Sequence, residues 1–108
     1  MVRMAVGEAI TNLVWAPVSQ WNDIKLQANW MWPGREGAQA ARLYEAVATL
    51  SDTLIQLGLA LDGGKDSLSM TTDCGESAKV PSPATLVMTA YAHCPRITGK
   101  LLPLPSPS

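Results

Sequence analysis

The chain has 108 residues, of which 47% are hydrophobic and 16% are charged, and its formal net charge is −1. A chain of this length forms one domain at most, and its 8 basic residues are scattered rather than gathered into a stripe that could neutralise nucleic-acid phosphates. No apolar run approaches the ~20 residues that a membrane span needs, so we expect a cytoplasmic protein without nucleic-acid or membrane partners.

The first predicted element is a helix from Val2 to about Ala16, which Pro17 ends. Its apolar residues recur at helical spacing: Val2, Ala5, Val6, Ala9, Ile10, Leu13 and Val14. Only Met1 precedes this helix, so no capping residue or loop is available at its start. We therefore expect the chain to begin inside a larger element.

The segment from Asp23 to Asn29 alternates apolar and polar residues, which predicts a strand buried on the side of Ile24, Leu26 and Ala28. The residues that follow it, NWMWPGREG, read as a loop.

A second, Ala-rich helix is predicted from about Gly37 to Leu57, with Gly58 as its stop. Its expected apolar stripe consists of Ala41, Tyr44, Ala48, Leu54 and Leu57.

Beyond this helix, Leu59 and Leu61 predict a short strand that enters Asp62-Gly63-Gly64. We interpret the two glycines as a break in the backbone, after which residues 67–72 continue as extended chain.

The last part of the chain contains a polar stretch and a strongly β-prone strand. Residues 73–83 fit a loop or hairpin, and residues 85–94 (TLVMTAYAHC) predict a strand that we expect at the centre of the sheet. Residues 99–108 form a proline-rich tail or linker, for which a role as an SH3 or WW ligand is the alternative.

Glu8 and Asn12 are four residues apart on the first predicted helix, so their side chains share one face. A carboxylate and a carboxamide on one rigid element suit Mg²⁺, which takes few protein ligands and completes its shell with water and phosphate oxygens. Spacing alone equally allows a solvated surface pair.

The densest polar cluster is DGGKDSLSM, residues 62–70. Its glycines permit close approach to a phosphate, but the segment is no Walker motif, because Leu59 stands where the first glycine belongs and Asp66 follows Lys65. A tight turn between two strands remains the alternative.

Other reactive or aromatic residues favour structural roles. Cys74 and Cys94 with the single His93 supply too few soft ligands for a closed zinc site, and neighbouring residues on a strand face opposite ways, which argues against a Cys94–His93 catalytic pair. The four tryptophans lack interleaved basic residues, so we interpret them as core and interface anchors rather than base-stacking platforms: Trp15, Trp21, Trp30 and Trp32.

Four strings occur in one order along residues 3–98: AVGEAITNLV, IKLQANWMW, LALDGGKDSLSM and TLVMTAYAHCP. Together they resemble phosphoribosylformylglycinamidine synthases of the large, single-chain type. The resemblance implies an α+β fold, in which residues 1–98 form part of the second PurM-like (AIR synthase-like) N-terminal domain, with a mixed sheet and two helices packed on one face. It also implies that this sheet packs on the sheet of a partner half to form a barrel.

The same resemblance implies an ATP-dependent ligase with glutamine as amide donor, which converts formylglycinamide ribonucleotide to the amidine in purine biosynthesis. The implied partners are the remaining domains of the synthase, including its glutaminase domain. We expect the 108-residue piece to be inactive and unstable by itself. Two alternatives stay open: a non-catalytic module that supplies a sheet interface and an auxiliary Mg²⁺-nucleotide site, and another PurM-like ATP enzyme, such as aminoimidazole ribonucleotide synthetase or selenophosphate synthetase.

The resemblance also implies site residues. It makes Glu8 and Asn12 magnesium ligands at a bound nucleotide, and places Gly64 and Asp66 at ATP and Ser67 at the substrate. Lys65 stands where smaller relatives have an asparagine, and an ammonium cannot ligate a metal. We therefore predict that Lys65 contacts a phosphate or the transition state and acts with Ser67 in catalysis.

Overall fold

A computed structural model describes residues 1–99 of the chain. Its helices are α1 (Val2–Thr11) and α2 (Gln39–Leu57), and its strands are β1 (Lys25–Met31), β2 (Ala60–Ser67), β3 (Thr71–Asp73), β4 (Lys79–Pro81) and β5 (Thr85–Tyr91). Short 3₁₀ turns occupy Trp21–Asp23 and Ile97–Gly99. The predicted tail lies outside the described residues except for its first residue, Gly99.

The main sheet has three strands in the order β2-β1-β5, with β1 parallel to β2 and antiparallel to β5. The central strand is therefore β1, and the expectation that the TLVMTAYAHC strand lies at the centre is wrong. High β-propensity reports how well side chains fit a pleated, half-buried surface, and it does not report position in the sheet. The alternation in β1 is confirmed, because Ile24, Leu26 and Ala28 are all buried.

Both helices cover the same face of this sheet, α1 on the side of β5 and α2 on the side of β2. The core between the helices and the sheet contains Val2, Val6, Ala9, Ile24, Leu26, Ala28, Trp32, Ala46, Leu50, Leu54, Leu59 and Leu86. The predicted α+β class, with a mixed sheet and two helices on one face, is confirmed. The opposite face of the sheet, which we call the open face, carries no helix among residues 1–99.

The first helix is shorter than predicted, because it ends at Thr11 rather than near Ala16. Beyond Thr11 the backbone tightens into bonds that span three residues, from the Leu13 N–H to the Ile10 carbonyl at 3.0 Å and from the Ala16 N–H to the Leu13 carbonyl at 3.1 Å. Pro17 disfavours the α conformation at the residue before it, so the turn cannot return to a regular helix.

The second helix confirms only the end of the predicted stripe, since Leu54 is buried and Leu57 packs beside it, and the stripe is wrong for its other three members. Tyr44 is 77% exposed, and Ala41 and Ala48 also face away from the core. The buried positions are Ala46, Leu50 and Leu54, with Leu43 and Leu57 packed beside them. The Ala-rich sequence offers two apolar stripes at helical spacing, and the larger leucines occupy the buried one. The predicted stop is confirmed, since Gly58 adopts the left-handed conformation with φ 67°.

The loops are anchored by indole N–H groups. Trp21 Nε1 donates to the Leu57 carbonyl at 2.7 Å and Trp32 Nε1 donates to the Gln39 carbonyl at 2.9 Å. Trp30 and Trp32 meet edge to face with their ring centroids 6.0 Å apart. The interpretation of the tryptophans as core anchors is confirmed for Trp30 and Trp32, whereas Trp15 and Trp21 are 41% and 48% exposed and lie outside the core. The predicted hairpin at residues 73–83 is also present as β3 paired with β4.

Cys74 and Cys94 are both free thiols, as expected. Within residues 1–99, neither helix combines the length and apolarity that crossing a bilayer requires.

Leu26 has no exposed surface, and we expect Leu26→Ala to lower the free energy of unfolding by about 2 to 5 kcal/mol, through lost burial and the cavity left behind. The matched control is Val87→Ala on the open face, where the side chain is 47% exposed, and it should change the unfolding free energy by less than about 0.5 kcal/mol. Urea unfolding of the chain measures both. Equal losses for the two variants would contradict the assignment of the core to the helix side of the sheet.

Candidate functional site

The predicted metal ligands lie at the carboxyl end of α1. Glu8 is within the helix, and Asn12 is the residue that caps it, with helical φ −67° and ψ −19°. The Asn12 N–H donates to the Glu8 carbonyl at 3.0 Å, so the predicted four-residue relation between the two survives the early end of the helix. Both side chains are exposed, because α1 turns Val2, Val6 and Ala9 toward the core.

The glycine-rich segment is part of a strand and not a break in the backbone. Strand β2 runs without interruption through Gly63 and Gly64 and pairs with β1 along its whole length. The pairing shifts by one residue, because Leu61 pairs with Leu26 whereas Gly63 pairs with Gln27. Asp62 is therefore the extra residue of a β-bulge. The interpretation of the segment as a break or a tight turn between strands is wrong, because β1 supplies a partner that the local sequence does not reveal.

The register divides the predicted site residues between the two faces of the sheet. Lys65 pairs with Asn29 and Ser67 pairs with Met31, and this set of residues lies on the open face. Gly64 pairs with Ala28, which is buried on the helix side.

Asp66 pairs with Trp30 and belongs to the same helix side as Gly64. Lys65 and Ser67 therefore lie on one face and the Asp66 side chain on the other, although Lys65 Nζ donates to the Asp66 carbonyl and both residues line one cavity.

Gly64 is a glycine because the neighbouring strand leaves no space for a side chain. Its φ is +156°, and a Cβ placed there would lie 2.1 Å from the Ala28 carbonyl oxygen. Contacts shorter than 3.0 Å essentially never occur for a real Cβ. This constraint gives Gly64 a structural role in the β1–β2 pairing, whereas its predicted contact with ATP stays a prediction.

Two open cavities flank this part of β2. One, of about 300 Å³, lies on the open face and is lined by Gln27, Ala28, Asn29, Gly64, Lys65, Val87 and Thr89. The other, of about 430 Å³, is lined by Ala28, Trp30, Leu61, Gly63, Gly64, Lys65 and Asp66. The first cavity combines an ammonium, two carboxamides and a hydroxyl, which are groups that bind phosphate oxygens and polar substrate atoms.

Asp62 and Tyr91 form a contact that the sequence did not reveal. The Tyr91 hydroxyl donates to Asp62 Oδ2, from one edge strand to the other across β1. The hydrogen bond to Asp62 raises the pKa of Tyr91, and the negative charge of that carboxylate acts in the same direction. The side chain of Gln27 acts in the opposite direction on the pKa of Tyr91. The clue in the sequence was the alternation of polar residues in β1, which places Gln27 and Asn29 on the face where this contact forms.

The structure does not bring the two predicted groups together. Helix α1, with Glu8 and Asn12, packs on the helix side near β5, whereas Lys65 and Ser67 lie on the open face of β2 at the opposite edge. Neither cavity beside Lys65 is lined by a residue of α1. Across the described part of the chain, no cluster of three or more His, Cys, Asp or Glu side chains could hold a metal ion. Any cation at Glu8 and Asn12 would therefore complete its shell with other oxygens.

A larger cavity, of about 580 Å³, lies elsewhere. It opens between the first turns of α1 and α2, where Arg3, Arg42 and Glu45 line it, and none of the predicted site residues reaches it. Size alone therefore does not identify the predicted site.

Sequence comparison decides which family this arrangement belongs to. The family model of the FGAR-AT PurM_N-like domain matches residues 1–93, which include both helices, all five strands and every predicted site residue. The chain belongs to the FGAR-AT PurM_N-like domain family. The PurM-like fold expected from the four strings is thereby confirmed.

Curated relatives match nearly the whole FGAR-AT PurM_N-like chain. A probable phosphoribosylformylglycinamidine synthase of Arabidopsis thaliana, described as chloroplastic/mitochondrial, is 46% identical over 103 residues, covering 95% of this chain and 7% of the relative. A probable phosphoribosylformylglycinamidine synthase of Caenorhabditis elegans is 47% identical over 102 residues, with 94% and 8% covered. The Homo sapiens phosphoribosylformylglycinamidine synthase is 45% identical over 101 residues, with the same coverage. The chain thus spans less than a tenth of the length of these relatives.

Replacing Gly64 tests the close approach of β2 to β1. We expect Gly64→Ala to lower the unfolding free energy by about 1 to 3 kcal/mol, because the Ala28 carbonyl is part of the backbone and must be displaced. Gly7→Ala is the control, since Gly7 lies in α1 with nothing within 4 Å of its added Cβ, and it should raise the unfolding free energy by about 0.5 to 1 kcal/mol. Thermal and urea unfolding report both signs. A neutral Gly64→Ala variant would contradict the observed pairing.

The contact between Tyr91 and Asp62 predicts a titration. In a Tyr44→Phe background, where Tyr91 is the remaining tyrosine, the phenol should titrate above its ordinary pKa of 10.0, and Asp62→Ala should return it toward that value. Since the folded-state pKa is the higher one, the contribution to stability is present below about pH 10 and is lost as the pH rises through that pKa. Ultraviolet difference absorbance measures the phenolate. An unchanged titration in Asp62→Ala would exclude the contact in solution.

Proposed function

We propose that this chain is part of a phosphoribosylformylglycinamidine synthase, which uses ATP and glutamine to convert formylglycinamide ribonucleotide to formylglycinamidine ribonucleotide. The observation that carries the proposal is the match of residues 1–93 to the FGAR-AT PurM_N-like family, together with 45% to 47% identity to three proteins with that name. The remaining domains of the synthase, with the glutaminase that releases ammonia, are the proposed partners. The proposed location is the cytoplasm, although the name of the Arabidopsis thaliana relative refers to chloroplasts and mitochondria.

Glu8 and Asn12 are the proposed magnesium ligands. Two exposed oxygen donors on consecutive turns, held by the Asn12 N–H bond to the Glu8 carbonyl, fit a cation that keeps water and phosphate oxygens as its other ligands. Bound ATP would supply the phosphoryl group that activates the amide oxygen of the substrate. The contribution of this chain would be to hold the metal and orient the phosphates from the end of α1.

Lys65 and Ser67 are the proposed catalytic contacts. They alternate on β2 and share the open face with Asn29, so an ammonium and a hydroxyl face one surface at the edge of the sheet. An ammonium in this place can stabilise negative charge on a phosphate or on a developing transition state, and the hydroxyl can orient the ribonucleotide. Gly64 and Asp66 are proposed to contact ATP from the opposite side of the same strand.

A non-catalytic role for the Glu8–Asn12 pair is the second candidate function. It is favoured by the separation of this pair from Lys65 and Ser67 by the thickness of the sheet, since the two groups share no cavity in residues 1–99. In this alternative, the nucleotide at Glu8 and Asn12 stabilises the protein without turning over.

Removing the carboxylate tests the magnesium site. Glu8→Gln keeps the shape of the side chain but loses its charge, and we expect the affinity for Mg²⁺-ATP to fall by about tenfold or more, as for the loss of one interaction with a charged group. Isothermal titration calorimetry of the chain measures the affinity. Glu45→Gln, at an exposed position of α2, is the control and should leave it unchanged. Equal affinities in all three proteins would exclude Glu8 as a ligand.

Turnover tests the open-face residues and needs the complete enzyme. In a full-length synthase that carries residues 1–99 in place of its matching segment, Lys65→Ala should lower kcat by about 100-fold, as for the loss of a preorganised electrostatic contact. Ser67→Ala should act mainly on the KM for the ribonucleotide. Lys79→Ala, in the hairpin, is the matched control. Unchanged kinetics in Lys65→Ala would favour the non-catalytic alternative.

A further inference from the structure

The direction of Lys65 and Ser67 depends on one residue of β2. Leu59 is buried, and Leu61, although 44% exposed at the edge of the sheet, pairs with the buried Leu26, so the register places both leucines on the helix side. From Leu61 onward, strict alternation would turn every odd-numbered residue toward that side, including Lys65 and Ser67. A regular strand of this sequence would therefore turn the ammonium to the side of the sheet on which the helices pack.

The bulge at Asp62 reverses this alternation. Because Asp62 has no partner on β1, Gly63 pairs with Gln27, and a Cβ on Gly63 would lie 3.5 Å from Gln27 Nε2 on the open face. Lys65 and Ser67 follow with the same direction as Gly63. One additional residue thus changes which face of the sheet receives the predicted catalytic groups.

The hydrogen bond to Tyr91 holds the bulged residue in place. Asp62 is exposed, and the pairing with β1 gives it no ladder partner. The Tyr91 hydroxyl, which projects from β5 over the open face, donates to its carboxylate. Strand β5 pairs with β1 from Lys25–Tyr91 to Met31–Thr85. The phenol therefore holds the Asp62 side chain against a strand that is itself fixed in the sheet.

We propose that Tyr91 and Asp62 are positioning residues, which fix the bulge in β2 and thereby keep Lys65 and Ser67 on the open face. The proposal deepens the function proposed above for Lys65 and Ser67 and rests on it for its catalytic consequence. It assigns no contact with substrate or nucleotide to either residue. Both residues are exposed, so the effect on global stability is small and the effect on register is the informative one.

Disulfide trapping measures the register independently of activity. In a Cys74→Ser/Cys94→Ser background, the pair Asn29→Cys and Lys65→Cys occupies directly paired positions on adjacent strands, ~4.8 Å apart, and should oxidise readily. Adding Tyr91→Phe should slow this cross-link by about fivefold, the loss expected for one hydrogen bond. Tyr44→Phe, which removes a hydroxyl from an exposed residue of α2, should leave the rate unchanged.

Variants of the bulged residue separate the hydrogen bond from the change of alternation. Asp62→Asn keeps an acceptor oxygen and should retain most of the parent's cross-linking rate. Asp62→Ala removes the acceptor and should cross-link as slowly as Tyr91→Phe. Deleting Asp62 joins Leu61 directly to Gly63, and regular alternation then places each on the face that it has in the parent. The cross-link should therefore form at the parent's rate even when Tyr91→Phe is also present. Circular dichroism verifies that each variant is folded. A cross-linking rate that is the same in Tyr91→Phe and its parent would overturn the proposal, as would a deletion variant that is folded and does not cross-link.

Kinetics in the full-length synthase carrying residues 1–99 distinguish this inference from the proposed function. We expect Tyr91→Phe to lower kcat/KM about fivefold with only a small fall in melting temperature, and Asp62→Asn, which keeps an acceptor for Tyr91, to stay close to the parent. If Lys65→Ala leaves turnover unchanged while Tyr91→Phe still slows cross-linking, the proposed function fails and the register assignment stands. If Lys65→Ala is impaired and Tyr91→Phe behaves as the parent in both assays, the positioning role fails and the proposed function stands.

Discussion

The pairing of β1 with β2 is the constraint on which the rest of the structure depends. Strand β1 is the central strand and fixes both edges of the sheet. On its β2 side the pairing requires two local exceptions, an extra residue at Asp62 and a residue without a side chain at Gly64, where the Ala28 carbonyl fills the space. The first exception reverses the alternation, and the second allows the strands to remain paired beyond it. Together they decide that Lys65 and Ser67 lie on the face opposite the helices.

This division gives the chain two chemically different surfaces. The end of α1 presents the oxygen donors of Glu8 and Asn12, which suit a hard cation. The open face presents Lys65 beside two carboxamides and the Thr89 hydroxyl, with Ser67 further along the same face of β2, and these groups suit phosphate and sugar oxygens. Because the sheet separates them, one nucleotide bound at Glu8 and Asn12 and a second ligand on the open face are compatible with each other. Two such surfaces fit the proposed function, which requires binding of both ATP and a ribonucleotide.

Much of the fold could be predicted from local patterns, because helical and strand periodicity depend on a few neighbouring residues. The alternation in β1 and the stop at Gly58 are examples. Features that depend on distant partners could not be predicted in this way. The buried face of α2 is chosen by the space above the sheet, and the Gly63-Gly64 segment is a strand because β1 pairs with it. The site residues were named by resemblance to known synthases, while their assignment to opposite faces required the register.

Paramagnetic broadening of the amide resonances tests most directly whether the two surfaces are separate. Mn²⁺ can replace Mg²⁺ in the complex with ATP and broadens the signals of nearby nuclei. The account predicts that substoichiometric Mn²⁺-ATP broadens the amides around Glu8 and Asn12 more strongly than those around Lys65 and Ser67, and that Glu8→Gln abolishes the broadening at α1. Broadening that is stronger around Lys65 than around Glu8, or broadening around Glu8 and Asn12 that persists in Glu8→Gln, would contradict the placement of the metal site on α1.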